Sequence, residues 1–313
     1  MIEYYKMTKS GVNSSGKEEA NWLNLQNLSE EELIKVTDQY DLPLDLFAGI
    51  DEPEEVSRVE RIHSEKLTNV YSLIVLNLSA ETERSIEARL HPISFVKADG
   101  LLITYSSRES DFIHSVIEKY RQEFNSFEKV ISYSLLSIYN HYLMELEEIK
   151  KRIDKLDQSA RNTTENEELF KLADTTRDIV YIDHTLRDQD ETLNYLMEHT
   201  DFQNKIGDKE LLYEVRLRHR QVNKLIEIYR DLLETVGGLF TDMMDNNLNH
   251  LMKYLDSAAL VISIPALISG IWGMNTGGLP GAKSNLAFFV VLVLSIILAA
   301  IAAVYLHRKD YSK

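Results

Sequence analysis

Two long apolar stretches close to the C-terminus constrain this chain more than any other feature. The first, residues 254–272 (YLDSAALVISIPALISGIW), carries one formal charge, Asp256, near its start; the second, residues 286–305 (LAFFVVLVLSIILAAIAAVY), carries none. At 1.5 Å of rise per residue, about 20 residues of helix cross the hydrocarbon core of a bilayer, and a helix satisfies its own backbone there. Both stretches are therefore expected to be transmembrane helices. Residues 276–285 between them (TGGLPGAKSN) suffice only for a short turn at the far membrane face. Lys253 precedes the first span, and His307, Arg308, Lys309 and Lys313 follow the second. The positive-inside rule then places both flanks in the cytosol, with Lys283 in the turn as the one contrary charge. The N-terminus (MIEYYKMTKSGVNSSGKEEANW) has no apolar core of signal-peptide length, so it too is expected in the cytosol. The expectation is a multi-pass protein of the cytoplasmic membrane, bounded by lipid, with both termini inside.

The two spans differ in kind. The first holds Ser257, Ser263, Pro265, Ser269 and Gly270, a polar and small set against which the second has one serine, Ser295, and no proline or glycine. Small residues let helices approach in lipid, yet the asymmetry favours a first span facing protein or water and a second facing lipid. Charge is divided just as unevenly. The chain carries a net −16, and the residues from Asp256 onward contribute +2, which leaves −18 for the first 255. So acidic a region repels nucleic acid and concentrates cations. There is no cysteine, which excludes disulfides, thiolate metal sites and thiol catalysis.

Upstream, residues 70–79, 93–98 and 101–105 are β-branched or aromatic runs, with Asp99-Gly100 as a hairpin turn between the last two. Residues 29–40 read as a capped helix, Ser29 standing before Glu30, Glu31 and Glu32. Residues 1–110 are thus expected to form a mixed α/β cytoplasmic domain. From Asp111, glycine and proline nearly vanish until Gly237-Gly238, and apolar residues recur at helical spacing. Residues 111–208 form an acidic helical region, within which residues 142–170 read as a solvated antiparallel helix pair turning at Asn162–Asn166. From Lys209, the pattern of Leu217, Leu225, Ile228, Leu232, Leu239 and Leu248 runs into the first span without a strong breaker. A stalk helix over 209–272, with 254–272 in the membrane, would be about 95 Å long. A rod of that length needs lateral partners, so the chain is expected to oligomerise.

At the outer end of the first span stand Gly270, Ile271, Trp272, Gly273, Met274 and Asn275. A Gly-Met-Asn tripeptide alone means little. At the exit of the penultimate apolar span, shortly before a basic C-terminus, it resembles the signature of the CorA magnesium-transporter family. Asn249, Met252, Lys253 and Leu255 resemble that family's approach to its pore helix, and Arg58, Val59 and Glu60 before the strand at Val70 resemble its N-terminal domain.

The resemblance implies an α+β, funnel-shaped homopentamer whose first transmembrane helices surround a central pore. In it Gly273, Met274 and Asn275 form the selectivity filter at the outer mouth, within the segment 273–285. Pore-lining positions fall on Ala266, Ser263, Leu255, Met252 and Asn249, with Leu255 and Met252 as a hydrophobic constriction that gates by dewetting. The transported ion, rather than any cofactor, is the ligand, and it is expected to be Mg²⁺, with Co²⁺ or Ni²⁺ alongside. Mg²⁺ sheds water reluctantly, so a ring of neutral amide oxygens suits the hydrated ion. In the family, intracellular Mg²⁺ between subunits favours the closed state, and here Asp208, Glu210 and Glu214 are the candidates. Arg308 and Lys309, in the basic tail 306–313, form a collar around the stalk or an anchor at lipid headgroups.

Many family members follow the tripeptide with a loop containing Met-Pro-Glu, whereas this chain has Thr276, Gly277, Gly278, Leu279, Pro280 and Gly281. That loop looks more like the zinc-transporting branch, which keeps Zn²⁺ transport with proton coupling as the alternative. Against a directly coordinated Zn²⁺ in the pore, no His, Cys or Glu lies between Asp256 and His307. A membrane-anchored scaffold or sensor is the alternative of another class. Enzymatic chemistry is not expected, since the nine histidines lack metal-ligand spacing and no phosphate loop or nucleophile elbow occurs.

Overall fold

The computed structural model describes residues 1–47, 56–80, 85–106, 110–162, 166–274 and 285–308. Short runs of β-branched and aromatic residues build a seven-stranded sheet from β1 (Ile2–Thr8), β2 (Gly11–Ser14), β3 (Trp22–Gln26), β4 (Arg58–Ile62), β5 (Val70–Leu78), β6 (Leu90–Ala98) and β7 (Leu101–Ser106). The spatial order is β2-β1-β3-β7-β6-β5-β4. β3 and β7 pair in parallel, and every other neighbouring pair is antiparallel. Gly100, at φ +86°, supplies the left-handed residue that the tight β6–β7 turn needs, as Asp99-Gly100 suggested. Gly11 is held more strictly: at φ +121°, a Cβ there would lie 2.6 Å from the Arg121 carbonyl oxygen. Val12 N–H donates to that same oxygen at 3.2 Å, tying β2 to the end of α3 (Phe112–Tyr120).

The period-2 alternation divides the sheet's side chains. Leu23, Ile74, Val96 and Ile103 share one core cluster with Val36 of α1 (Glu30–Tyr40) and with Leu46 and Phe47. The α1 N-terminus carries the expected capping box between Ser29 and Glu32, and Asp41 closes the helix in the left-handed conformation. Trp22 is fully buried, its ring centroid 6.0 Å from that of Phe124, and its Nε1–H donates to Thr104 Oγ1 at 3.1 Å.

A short α2 (Ile86–Arg89) leads into β6, and two 34-residue helices, α4 (Phe127–Ala160) and α5 (Asn166–His199), pack on the sheet. Tyr142 Oη–H and Gln189 Nε2–H both donate to the Leu76 carbonyl, at 3.0 and 2.8 Å. Together with the Arg152–Asp178 pair at 2.7 Å, these contacts show an antiparallel hairpin. It is amphipathic rather than solvated throughout: Leu146, Ile149, Ile153, Leu156 and Ala160 are buried at three- and four-residue spacing. Residues 163–165 of the expected turn lie outside the described residues. Two ion pairs are buried here, Arg89–Glu145 at 2.7 Å and Lys97–Glu128 at 3.1 Å.

After α6 (Phe202–Ile206), α7 runs over Lys209–Trp272 as one 64-residue helix. The chain divides into two compact units, Met1–Gly237 and Gly238–Lys313. In the first, α7 buries Leu211, Val215, Val222, Ile226, Leu233 and Val236, an apolar stripe at helical spacing. The second holds the rest of α7 and α8 (Asn285–Arg308).

Candidate functional site

The residues that the sequence singles out for ion passage lie on the C-terminal part of α7, and their placement follows from helix geometry. The backbone is helical without interruption from Lys209 to Trp272. At about 100° per residue, Asn249, Met252, Leu255, Ser263 and Ala266 then share an arc of about 120°. Ala259 and Gly270 fall on the same stripe; the signal that finds them is the three- and four-residue recurrence of small residues. Tyr254, Val261, Pro265 and Trp272 lie on the opposite side.

None of residues 241–274 is buried within the chain. Met252 is 54% exposed, Leu255 56% and Ile262 71%. So many uncovered apolar side chains demand lipid or other protein around the helix. The polarity of the stripe is graded along its length, from the Asn249 carboxamide through Met252 and Leu255 to the Ser263 hydroxyl. Ser263 Oγ–H donates to the Leu260 carbonyl at 2.8 Å, which satisfies its donor within the helix. Pro265 sits inside the helix and lacks the N–H that would otherwise bond the Val261 carbonyl.

At the C-terminal end of α7, Gly273 N–H donates to Ser269 O at 2.9 Å and Met274 N–H to Ile271 O at 3.3 Å, so the last turn tightens from i−4 to i−3 bonding. A Cβ at Gly273 would lie 3.2 Å from the Ser269 carbonyl oxygen, a tight contact that a side chain relieves only if the backbone gives by a few tenths of an ångström. Asn275 and residues 276–284 lie outside the described residues. α8 is apolar all round, and its large side chains Leu286, Phe288, Phe289, Val290 and Ile296 are exposed, as a lipid-facing helix requires. Arg308 is exposed at the end of α8, while Lys309 lies outside the described residues.

Of the three candidate regulatory acids, Glu210 and Glu214 stand one turn apart on the same face of α7, and Asp208 precedes the helix. Asp208 caps α7: its Oδ1 accepts from Leu211 N–H at 2.9 Å, and its Oδ2 lies 3.1 Å from Lys129 Nζ. The Leu211 hydrogen bond first, and Lys129 after it, hold this carboxyl below the usual aspartate range. Glu210 lies in the first turn of α7, and Glu214 pairs with Arg218 Nε at 3.0 Å. Among the described residues no group of three or more His, Cys, Asp or Glu side chains is arranged to hold a metal ion. Within one chain, then, the stripe on α7 consists of amide, thioether, hydroxyl and small groups with the Asp256 carboxylate among them, and no chelating cluster occurs among the described residues.

A family model described as CorA-like Mg²⁺ transporter protein matches residues 17–308. The cobalt/magnesium transport protein CorA of Thermotoga maritima is 22% identical over 299 residues, covering 93% of this chain and 83% of that protein. The complete structure of the CorA magnesium transporter from Methanocaldococcus jannaschii superposes with a TM-score of 0.80 at 20% identity, over 99% of this chain and 98% of the other. The ZntB cytoplasmic domain from Vibrio parahaemolyticus gives a TM-score of 0.61 at 16% identity, over 80% of this chain and 98% of that one.

Proposed function

The chain belongs to the CorA-like Mg²⁺ transporter family, and from that premise we propose that it passes hydrated Mg²⁺, with Co²⁺ or Ni²⁺ as further cargo, through a central pore lined by the first spans of five copies. The observation that supports this most is the lower part of α7: one unbroken helix, nowhere buried between residues 241 and 274, with a stripe of amide, thioether and hydroxyl groups on one side. Several copies standing around an axis cover that stripe and leave α8, apolar between residues 286 and 305 but for Ser295, to the lipid. Both termini then stand in the cytosol, and the transporter sits in the cytoplasmic membrane.

The chemistry follows from the ion. Mg²⁺ binds water tightly, so a pore that stripped it bare would have to replace six ligands at octahedral geometry. A ring of Asn275 carboxamides at the outer mouth instead offers acceptor oxygens to the hydrogens of retained water. Deeper in, Met252 and Leu255 narrow the path with side chains that hold no water, so a small displacement wets or dries the pore without moving a charge. Asn249 presents a second amide ring on the cytosolic side.

The experiment is uptake of Mg²⁺ by full-length protein reconstituted in liposomes. Asn275→Ala is expected to keep its oligomeric state on size exclusion and to lose most of its uptake; uptake equal to that of the unaltered protein removes the role given to this residue. Zn²⁺ is the second reading, favoured by the acid-free sequence after Asn275 and by the fold likeness to a ZntB domain. Mg²⁺, Co²⁺, Ni²⁺ and Zn²⁺ offered in turn, with and without a pH gradient, separate the two. Preference for Zn²⁺ together with dependence on the gradient would replace the magnesium reading.

A further inference from the structure

Asp256 is the only formally charged residue in the first span, and the pore as described makes no use of it. Its neighbours fix where it points. On the continuous helix α7, Asp256 lies between the directions of Met252 and Asn249, about 40° from Met252 and 20° from each of Ser263 and Asn249, inside the arc that these residues share. Tyr254, two residues earlier, points about 160° away from it. Tyr254 is 71% exposed, and a tyrosine at the edge of a span is suited to the lipid headgroup level, where its ring and its hydroxyl find different surroundings. With Tyr254 toward lipid, Asp256 is turned from it.

Energetics point the same way. An aspartate facing hydrocarbon costs about 2.5–3.5 kcal/mol at the centre of a span and less toward the end, so charged residues within spans face protein or water. Asp256 is exposed, and no ion pair among the described residues reaches its carboxylate. We propose that Asp256 is a permeation-determining residue: its carboxylate, one from each copy, faces the aqueous axis immediately outward of the Met252 and Leu255 constriction and concentrates divalent cations there. This rests on the reading that the first spans line the pore. It adds to the neutral Asn275 ring a charged station, which sets sign and occupancy where the outer ring recognises the hydration shell. A ring of like charges repels itself, and a passing divalent ion relieves that repulsion, so the station favours two charges over one.

The absence of cysteine from the chain provides a clean test, because an introduced thiol reports only its own position. The full-length protein in liposomes is compared with Asp256→Asn, Asp256→Glu, Asp256→Cys and Tyr254→Cys. Asp256→Asn is expected to lower Mg²⁺ uptake at sub-saturating concentration by about tenfold, the lower end of what charge focusing supplies, while Asp256→Glu retains most of it. A cationic methanethiosulfonate in the aqueous phase is expected to abolish uptake by Asp256→Cys, to be slowed by Mg²⁺, and to leave Tyr254→Cys unaffected. Unchanged uptake in Asp256→Asn, or equal responses of the two cysteine variants, overturns the proposal while Asn275→Ala still shows its loss. Absence of uptake by the unaltered protein overturns the pore and this station together.

Discussion

The buried Lys97–Glu128 pair gives the sharpest energetic test of the N-terminal fold. Both side chains are 5% exposed, with Lys97 Nζ 3.1 Å from Glu128 Oε1. That oxygen has no hydrogen bond of its own, so the pairing is one of charge rather than of a well-aligned bond. Lys97→Met keeps an unbranched side chain one atom shorter and removes its charge. At an effective dielectric near 20, the lost attraction is about 5 kcal/mol, and breaking one side of a buried pair typically costs about 3–5 kcal/mol. An orphaned carboxylate has an escape, because it can take up a proton. At pH 7 that costs about 1.4 kcal/mol for each unit separating the pH from the glutamate reference near 4.3, a ceiling of roughly 4 kcal/mol. The expected loss is therefore about 3–4 kcal/mol at pH 7, and the ceiling drops to about 2 kcal/mol at pH 5.5. Urea unfolding of full-length protein in detergent reads this directly. Fully buried Trp22 is the reporter, in a Trp272→Phe background that removes the only other tryptophan. For a denaturant slope of about 2 kcal/mol per molar, the midpoint falls by roughly 1.5–2 M at pH 7. The double variant Lys97→Met with Glu128→Met should recover most of that loss, since an apolar pair of similar volume replaces a buried ion pair at little cost. A loss of equal size at both pH values, or a double variant no better than the single, refutes the reasoning.

Three further outcomes are expected. His219 is buried with Nδ1 3.4 Å from Asp190 Oδ1, Nε2 3.4 Å from the Leu186 carbonyl, Asn223 beside it and the Tyr139 ring at 5.2 Å. Burial holds its pKa below the ordinary histidine value despite Asp190, so its contribution to stability is complete above about pH 6.5 and is lost as the pH falls through the folded value. His219→Gln should narrow the difference in urea midpoint between pH 7.5 and pH 5.5; an unchanged difference assigns it elsewhere. Asp208→Ala should destabilise by about 1 kcal/mol through loss of the α7 cap, and Asp208→Asn should restore most of that, as a capping role but not a metal-ligand role permits. Enlarging Leu255, the proposed constriction, in Leu255→Trp should reduce Mg²⁺ uptake without altering oligomer size, and undiminished uptake would take Leu255 off the path.

What was legible in the sequence follows from how local each signal is. The 209–272 helix and the second span declared themselves through unbroken helical periodicity and hydropathy, and α1 through the Ser29–Glu32 capping box. The β6–β7 hairpin was written in Asp99-Gly100, where φ > 0 admits few residues. β1, β2 and β3 were not read from the sequence. Trp22–Gln26 puts Asn24 and Gln26 on the same face as Trp22, opposite Leu23 and Leu25, yet every one of its residues is buried, the polar ones because Asn24 and Gln26 find partners in Glu3, Thr104 and the Ser110 carbonyl. Its parallel pairing with β7 joins segments about eighty residues apart, which no local pattern encodes. The stretch at 142–170 alternates heavy acid with Leu and Ile, which suggests a solvated helix pair; the structure shows that the Ile and Leu at helical spacing form a buried face. At the candidate site, Met252 and Leu255 drew notice through resemblance alone, and only the continuity of α7 places them on one side with Asn249 and Ser263. The acids at 208, 210 and 214 show the reverse, since sequence proximity said nothing of the capping bond that Asp208 makes.

In the proposed pore, the hydrogen bond from Ser263 to the Leu260 carbonyl bears on the sign of charge that is tolerated. A hydroxyl free to rotate is indifferent, turning its proton toward an anion or its oxygen toward a cation. With the proton locked into the backbone, Ser263 shows its neighbours lone pairs only. A water molecule in the shell of a metal ion turns both hydrogens outward toward a waiting oxygen, whereas a water bound to chloride keeps only one hydrogen to offer and finds no donor here for its oxygen.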